Sequence, residues 1–431
     1  MIEIKYARID PRQFNEDART WRRGRDKSDV LTQRVRAIIS SVRREGDAAL
    51  VRLTRELDHR DVSRSDLRVT RSQIEAAYEH VSPEQVEALK TARRRLERVA
   101  NATLETLRLS LDIDGTHIQM HTRPISEIGC YVPGGEADYP STVMMCAVPA
   151  RVAGVSRLVV CTPPRELKSA ALTLVACDIS GVDEVFMVGG AQAIAALAYG
   201  TESIRPVDKI VGPGNAYVTL AKKLVSGDVA IDMPAGPSEL IVIADDSADP
   251  RLIALDMISQ AEHSADAMSV LITDSPILAR RTLDELEMRL GTVSRENTVR
   301  ESLRRNGAIY VCDNIEDCVR LSDLIAPEHL EIITRSPHRV RDMVKNAGLI
   351  LLGAFTPVAA SDYAIGVNHV LPTSGHAAVF SGLSVLDFIR SVYSVECSED
   401  GLRQLEQSVI ELARAERLDN HAVAVQGRFR N

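Results

Sequence analysis

Gln260 and His263 stand three residues apart at the end of an apolar-periodic run, so a helix there would project both from one face. An amide oxygen and a neutral imidazole are usable metal ligands, but two donors do not close a site. A polar helix end with a surface histidine accounts for them equally well. Glu328-His329 follows Pro327 and opens the run Leu330-Glu331-Ile332. An acid beside an imidazole at the mouth of a strand suits proton transfer, because imidazole titrates near neutrality and a half-buried glutamate can be tuned towards it. The plainer reading is a solvent-facing acid next to a core histidine. Residues 361–366 and 368–373 read as one long irregular loop rich in Asp, Asn and His, a composition that usually marks function in an ordered domain. Glu416 and His421 are five apart and would not share a helix face, so one of them should lie past a helix end.

The elements that must position these groups appear as a repeated pattern from about residue 110. Apolar runs at 127–132, 158–161, 184–188 and 208–211 alternate with helical periods at 141–153, 170–177 and 191–199 and with a helix through Lys223. Strand, glycine turn and helix in repetition predict an α/β layer with a mostly parallel sheet. Gly189-Gly190-Ala191-Gln192 and Gly212-Pro213-Gly214-Asn215 fall where a strand feeds a helix, and there free N–H groups and the helix dipole favour a phosphate. Neither is the G-x-G-x-x-G fingerprint, and a tight turn without a ligand is the alternative. Tyr131-Val132-Pro133-Gly134-Gly135 makes a third glycine loop.

The stretch 229–263 joins this layer to the next. Met233-Pro234-Ala235-Gly236-Pro237 puts Ser238 at a bend, 240–243 reads as a buried strand, and Asp249-Pro250 as an N-cap followed by a first-turn proline. Before residue 110 the chain reads as a polar arm carrying Trp21, then helical segments at 28–56, 72–78 and 83–107 with no chemistry of their own. A helical tail follows Ser384, with its main helix at 402–414.

At 431 residues, 45% apolar and 26% charged, the chain is an ordinary globular protein with room for two or more domains. A net charge of −8 argues against general nucleic-acid binding, and the basic lean of the first hundred residues is interleaved with acids. Seven scattered cysteines without a C-x-x-C point to a reducing cytoplasm rather than a disulfide framework or thiolate zinc site. No apolar run approaches the ~20 residues of a membrane span, and the N-terminus has no apolar signal core.

The chain as a whole resembles the histidinol dehydrogenase family. The resemblance rests on residues 129–135 (GCYVPGG), 139–150 (YPSTVMMCAVPA), 189–200 (GGAQAIAALAYG), 211–215 (VGPGN), 232–239 (DMPAGPSE), 260–263 (QAEH), 327–330 (PEHL), 368–373 (NHVLPT) and 416–421. It implies one zinc ion per subunit on Gln260, His263, Asp362 and His421, with His421 supplied by the neighbouring subunit of a homodimer. It implies NAD contacts at Tyr131, Gln192 and Asn215, and substrate contacts at Ser238, His329 and Glu416 with His369 near them. The zinc ligands also face the substrate, L-histidinol. Glu328 and His329 fall on the family's acid/base pair: His329 serves the hydride transfers and Glu328 activates water. Ser361 stands where the family usually has glycine, and Val423 where it often has asparagine.

The resemblance implies two larger α/β domains, each with an incomplete Rossmann-like sheet. One is discontinuous, residues 25–105 with 238–381; the other, 106–237, binds NAD. An N-terminal arm, 1–24, and a C-terminal dimerisation tail, 382–431, complete the subunit. Three alternatives carry different signatures. A sister-branch dehydrogenase would take another hydroxylated substrate, such as a sulfonated diol. A zinc hydrolase would use Glu328 as base and bind no NAD, and an RNA-binding protein would show steep salt dependence.

Overall fold

The computed structural model describes residues 3–10, 29–134 and 138–429. The alternating strands form two separate parallel sheets. In the first, five strands lie in the order Glu184–Met187, Arg157–Thr162, Glu127–Tyr131, Lys209–Val211, Ala230–Ile231. In the second, six strands lie in the order Lys5–Arg8, Gly307–Val311, Met268–Thr273, Glu239–Ala244, His329–Ile333, Leu349–Leu352. Arg157–Thr162 and Met268–Thr273 are buried along their whole length, as parallel strands covered on both faces must be. The expected α/β architecture with parallel sheets is therefore present.

Sequence direction reverses within each sheet. After Glu127–Tyr131 the chain adds strands on one side and then crosses to place Lys209–Val211 on the other; Glu239–Ala244 and His329–Ile333 repeat this in the second sheet. Such switch points open a crevice beyond the carboxyl ends of the strands. In the first sheet that crevice is bordered by the loops after Tyr131 and Val211.

The early helices pack differently from the expected grouping of 25–105 with 238–381. Asp29–Glu45 and Asp47–Leu57 bury Val35, Ile39, Val42, Leu50 and Leu53 against Ile194, Leu197 and Val218 on one face of the five-stranded sheet. Pro83–Glu105 buries Leu89, Ala92 and Leu96 with the core formed by Pro140–Ala153 and Leu167–Ile179 on the other face. An amphipathic period shows which side of a helix is apolar but not which sheet will cover it. Among the described residues of the N-terminal arm, the strand Lys5–Arg8 joins the six-stranded sheet; Trp21 lies outside the described residues.

A third sheet is antiparallel: Ile389–Cys397 pairs with Thr116–Pro124, which pairs with Ser110–Ile113. The tail strand Ile389–Cys397 was absent from the helical expectation for the tail, because its apolar residues do not alternate cleanly. Beyond it the helices Glu399–Ala415 and Asp419–Gln426 pack on each other around Ile410, Ala413 and Ala422. No helix among the described residues is long and apolar enough to cross a membrane.

Candidate active site

Glu328 and His329 sit at the amino end of the strand His329–Ile333, beside the amino end of Glu239–Ala244. Both are buried. The His329 Nδ1 lies 3.3 Å from the Glu239 carbonyl oxygen and 3.5 Å from Glu328 Oε2. A carbonyl only accepts, so Nδ1 carries the proton and Nε2 presents its lone pair. That Nε2 is buried without a hydrogen-bond partner among the described residues, 3.9 Å from Asp362 Oδ1. Burial alone would lower the imidazole's pKa, but the neighbouring Glu328, then Asp362 and the Glu239 carbonyl, outweigh it and hold His329 above its ordinary value.

Gln260 and His263 arrive on the helix Pro250–Ala261, whose Asp249 side chain caps the Arg251 N–H at 2.8 Å with Pro250 in the first turn. His263 lies just past the helix end, its N–H 3.3 Å from the Gln260 carbonyl. Its Nε2 is 3.8 Å from Asp362 Oδ2. Asp362 does not lie in an irregular loop as expected: Val358–Tyr363 is a short helix that packs against Pro250–Ala261. Glu331 holds that helix in place, its Oε1 accepting the Val358 N–H at 2.6 Å. Burial, and then Asp256 beside it, push the Glu331 carboxyl well above its ordinary range. Ser361 fits because its hydroxyl donates to the Val358 carbonyl inside the same turn, 2.7 Å away.

The segment 368–374 ties the two sheets together over this site. His369 Nδ1 donates to the Asp362 carbonyl at 2.8 Å, Asn368 Nδ2 to the Met145 carbonyl at 2.7 Å, and the Gly236 N–H to Thr373 Oγ1 at 2.6 Å. Burial lowers the His369 imidazole below its ordinary value. Ser238, at the expected bend, is half-buried and its carbonyl accepts the Met268 N–H at 2.9 Å.

Gln260, His263, Ser238, Glu328, His329, Asp362 and His369 thus come from elements that meet at one place. Glu416 and His421 do not join them within the chain. Glu416 caps the end of Glu399–Ala415, His421 begins the next helix, and both are exposed. Among the described residues no group of three His, Cys, Asp or Glu side chains could hold a metal ion. Of the expected ligands, His263 and Asp362 face each other at 3.8 Å, and Gln260 precedes His263 by one turn of the same helix end.

The three glycine loops meet at the first sheet's switch point. The Tyr131 hydroxyl, buried, accepts the Gly190 N–H at 3.0 Å, and burial pushes its pKa upward. Gly212 has φ +110°, and a Cβ there would lie 2.2 Å from the Tyr131 carbonyl oxygen, so only glycine allows this approach. Gln192 is buried; its Nε2 donates to Asp58 Oδ2 at 3.3 Å while its Oε1 has no partner among the described residues. Asn215 caps the helix Ala216–Val225, accepting from Tyr217 and Val218 N–H groups at 3.0 and 3.2 Å. The helix Gly190–Tyr199 has no side-chain cap. Gly135 lies outside the described residues.

Sequence reading singled out neither Glu239 nor Glu331. Each is a charged residue set in an apolar strand run, and that misplacement was the available signal.

The histidinol dehydrogenase family model matches residues 21–429. The chain is 46% identical over 432 residues to histidinol dehydrogenase from Methanothermobacter thermautotrophicus, covering 100% of this chain and 99% of that one. It is 46% identical over 409 residues to that from Methanopyrus kandleri, covering 94% and 95%. The crystal structure of histidinol dehydrogenase from Elizabethkingia anophelis superposes with a TM-score of 0.94 at 34% identity, covering 100% of this chain and 98% of that one. With family profile, full-length relatives and fold in agreement, the chain belongs to the histidinol dehydrogenase family.

Proposed function

We propose that the protein oxidises L-histidinol through L-histidinal to L-histidine, with NAD as hydride acceptor, in a homodimer whose sites each hold one zinc ion. The observation that carries this reading is the buried, unpartnered His329 Nε2 beside Asp362, with Glu328 next to it, in a chain of this family.

The zinc reading is supported by the donor set. His263 Nε2 and Asp362 Oδ2 are 3.8 Å apart, near the ~3.3 Å between two donors of one tetrahedral ion at about 2.0–2.1 Å. One turn earlier, the Gln260 amide is buried with one atom unpartnered among the described residues, and its oxygen and nitrogen are interchangeable by a flip. The partner subunit's His421 would complete the set, and the partner subunit's Glu416 would face the substrate ammonium. Zinc held there would supply orientation of the substrate.

The NAD reading is supported by the free Gln192 Oε1, the helix Gly190–Tyr199 whose N-cap Gly189 has no side chain to fill its mouth, and the crevice beside Gly212. Asn215 keeps its amide N–H groups available while its oxygen caps the helix. NAD bound there supplies the acceptor for one hydride in each oxidation.

His329 takes the substrate hydroxyl proton on Nε2 as the carbon loses hydride, giving the aldehyde. Glu328 takes a proton from the water that adds to the aldehyde carbonyl while His329 returns its proton to the carbonyl oxygen, which frees Nε2 to accept a hydroxyl proton as the hydrate is oxidised to the carboxylate. The packed segment 368–374 helps to exclude bulk water while this occurs. Free cysteines, six buried and one exposed, are compatible with a reducing cytoplasm.

The test is NADH yield from L-histidinol. About two NADH per L-histidine formed, one for each hydride lost, is expected. If L-histidinol is inert while another hydroxylated substrate reduces NAD, the substrate assignment is wrong.

A further inference from the structure

Glu239 makes four connections around the proton-transfer pair. Its N–H donates to Glu328 Oε2 at 2.8 Å, and its carbonyl receives the His329 Nδ1 proton at 3.3 Å. Its carboxyl accepts the Ser374 N–H on Oε1 at 2.8 Å and the Glu328 N–H on Oε2 at 3.3 Å. One residue therefore touches the Glu328 side chain, the Glu328 backbone, the His329 ring and the end of the segment that carries His369. Two adjacent strands, Glu239–Ala244 and His329–Ile333, meet at this point with parallel register His329 opposite Leu240. The register fixes the backbone half of the arrangement for any residue at position 239. The carboxyl half depends on glutamate.

We propose that Glu239 is a positioning residue that aims the Glu328 carboxylate at the water added in the aldehyde-oxidising step, by clamping Glu328 to the Thr373-Ser374 turn. This rests on the reading of function above. Without the carboxyl, the Ser374 N–H and the Glu328 N–H lose their acceptor, and the turn and the strand mouth can separate. Glu328 then loses its fixed aim, whereas His329 retains its bond to the residue 239 carbonyl. The aldehyde oxidation, which needs both Glu328 and His329, should suffer more than the alcohol–aldehyde interconversion, which needs His329. Burial, reinforced by the charge of Glu328, pushes the Glu239 carboxyl up to about 8 against the N–H bonds that favour ionisation. Near neutrality Glu239 is therefore largely protonated. Glutamine mimics that neutral form, and its amide oxygen can accept the Ser374 N–H.

The test compares two reactions of L-histidinal on zinc-loaded enzyme: oxidation by NAD, which needs Glu328, and reduction by NADH, which does not. In Glu239→Ala the oxidation kcat should fall about 10–100-fold relative to reduction, the cost of a misplaced reacting group, with KM for L-histidinal little changed. Glu239→Gln should recover most of the loss. Equal loss in both directions, no loss, or a glutamine variant no better than alanine would overturn the proposal. Wild-type protein inert towards L-histidinal in both directions would overturn the functional reading beneath it.

Discussion

A proton acceptor needs a lone pair that nothing else occupies and an environment that keeps it basic. His329 meets both conditions: Nδ1 is held by the Glu239 carbonyl, Nε2 is buried without a partner among the described residues, and Glu328 keeps the imidazole above its ordinary pKa. Glu328 serves it in two ways, as neighbour and as base towards water. Glu328→Gln should therefore lower oxidation of L-histidinal by roughly 10²–10⁴-fold, the usual worth of a general base. Conversion of L-histidinol to L-histidinal should fall much less. Single-turnover measurement of the two steps checks this; equal loss in both would mean that Glu328 does not activate water. At this scale the sequence was informative where chemistry and spacing coincide. Glu328-His329 and Gln260…His263 stood out as residues, and the resemblance added Asp362 and His421. Glu239 was hidden because its importance comes from the Ser374 turn, 135 residues away in the chain, which no local pattern records.

Elements turn these residues into a site. The glycine turns could be read because each sits where a strand feeds a helix, and Gly212 shows the physical need, a φ of +110° against the Tyr131 carbonyl. The short helix Val358–Tyr363 is not legible as a helix: six residues leave too little periodicity to see, and its N-terminus is held by Glu331 from another strand. The first helical layer was legible as helices but not in its packing partner. Part of what attaches it is polar. Asp47, buried, accepts from the Ser203 hydroxyl and N–H at 2.6 and 3.2 Å and pairs with Arg64 at 2.6 Å. Burial would raise the Asp47 carboxyl, but the bonds from Ser203 and Thr201 and the Arg64 guanidinium outweigh it and hold it below the ordinary aspartate range. A depressed folded-state pKa stabilises above the unfolded value of about 3.9, and that contribution is lost as pH falls through the folded value. Asp47→Asn should accordingly lower Tm by a few degrees near pH 7, with the gap to wild type closing below about pH 4. A gap constant across that range would show that Asp47 contributes by shape rather than charge.

At the scale of the whole molecule, one chain is an incomplete enzyme under this account. Helices of the six-stranded sheet bring His263 and Asp362 face to face with Gln260 one turn earlier, while Glu416 and His421 remain exposed on a tail whose two helices pack on each other. That tail and its antiparallel sheet expose Leu111, Ile113, Tyr393, Val395, Leu412 and Val423, more large apolar side chains than an isolated surface usually carries in one region. A second copy of the chain accounts for both facts: it would cover the apolar tail and deliver the missing ligand. The most direct measurement follows L-histidine formation by a mixture of two variants deficient in it, Glu328→Gln and His421→Asn, after dissociating and re-associating their zinc-loaded subunits. In a mixed dimer one site has an intact Glu328 from one subunit and an intact His421 from the other. If His421 acts across the interface, mixing should restore up to about a quarter of wild-type activity, since half the dimers are mixed and each has one whole site. If every site uses its own chain's His421, no mixed dimer contains a whole site, activity stays at the level of the parents, and the shared-site account is contradicted.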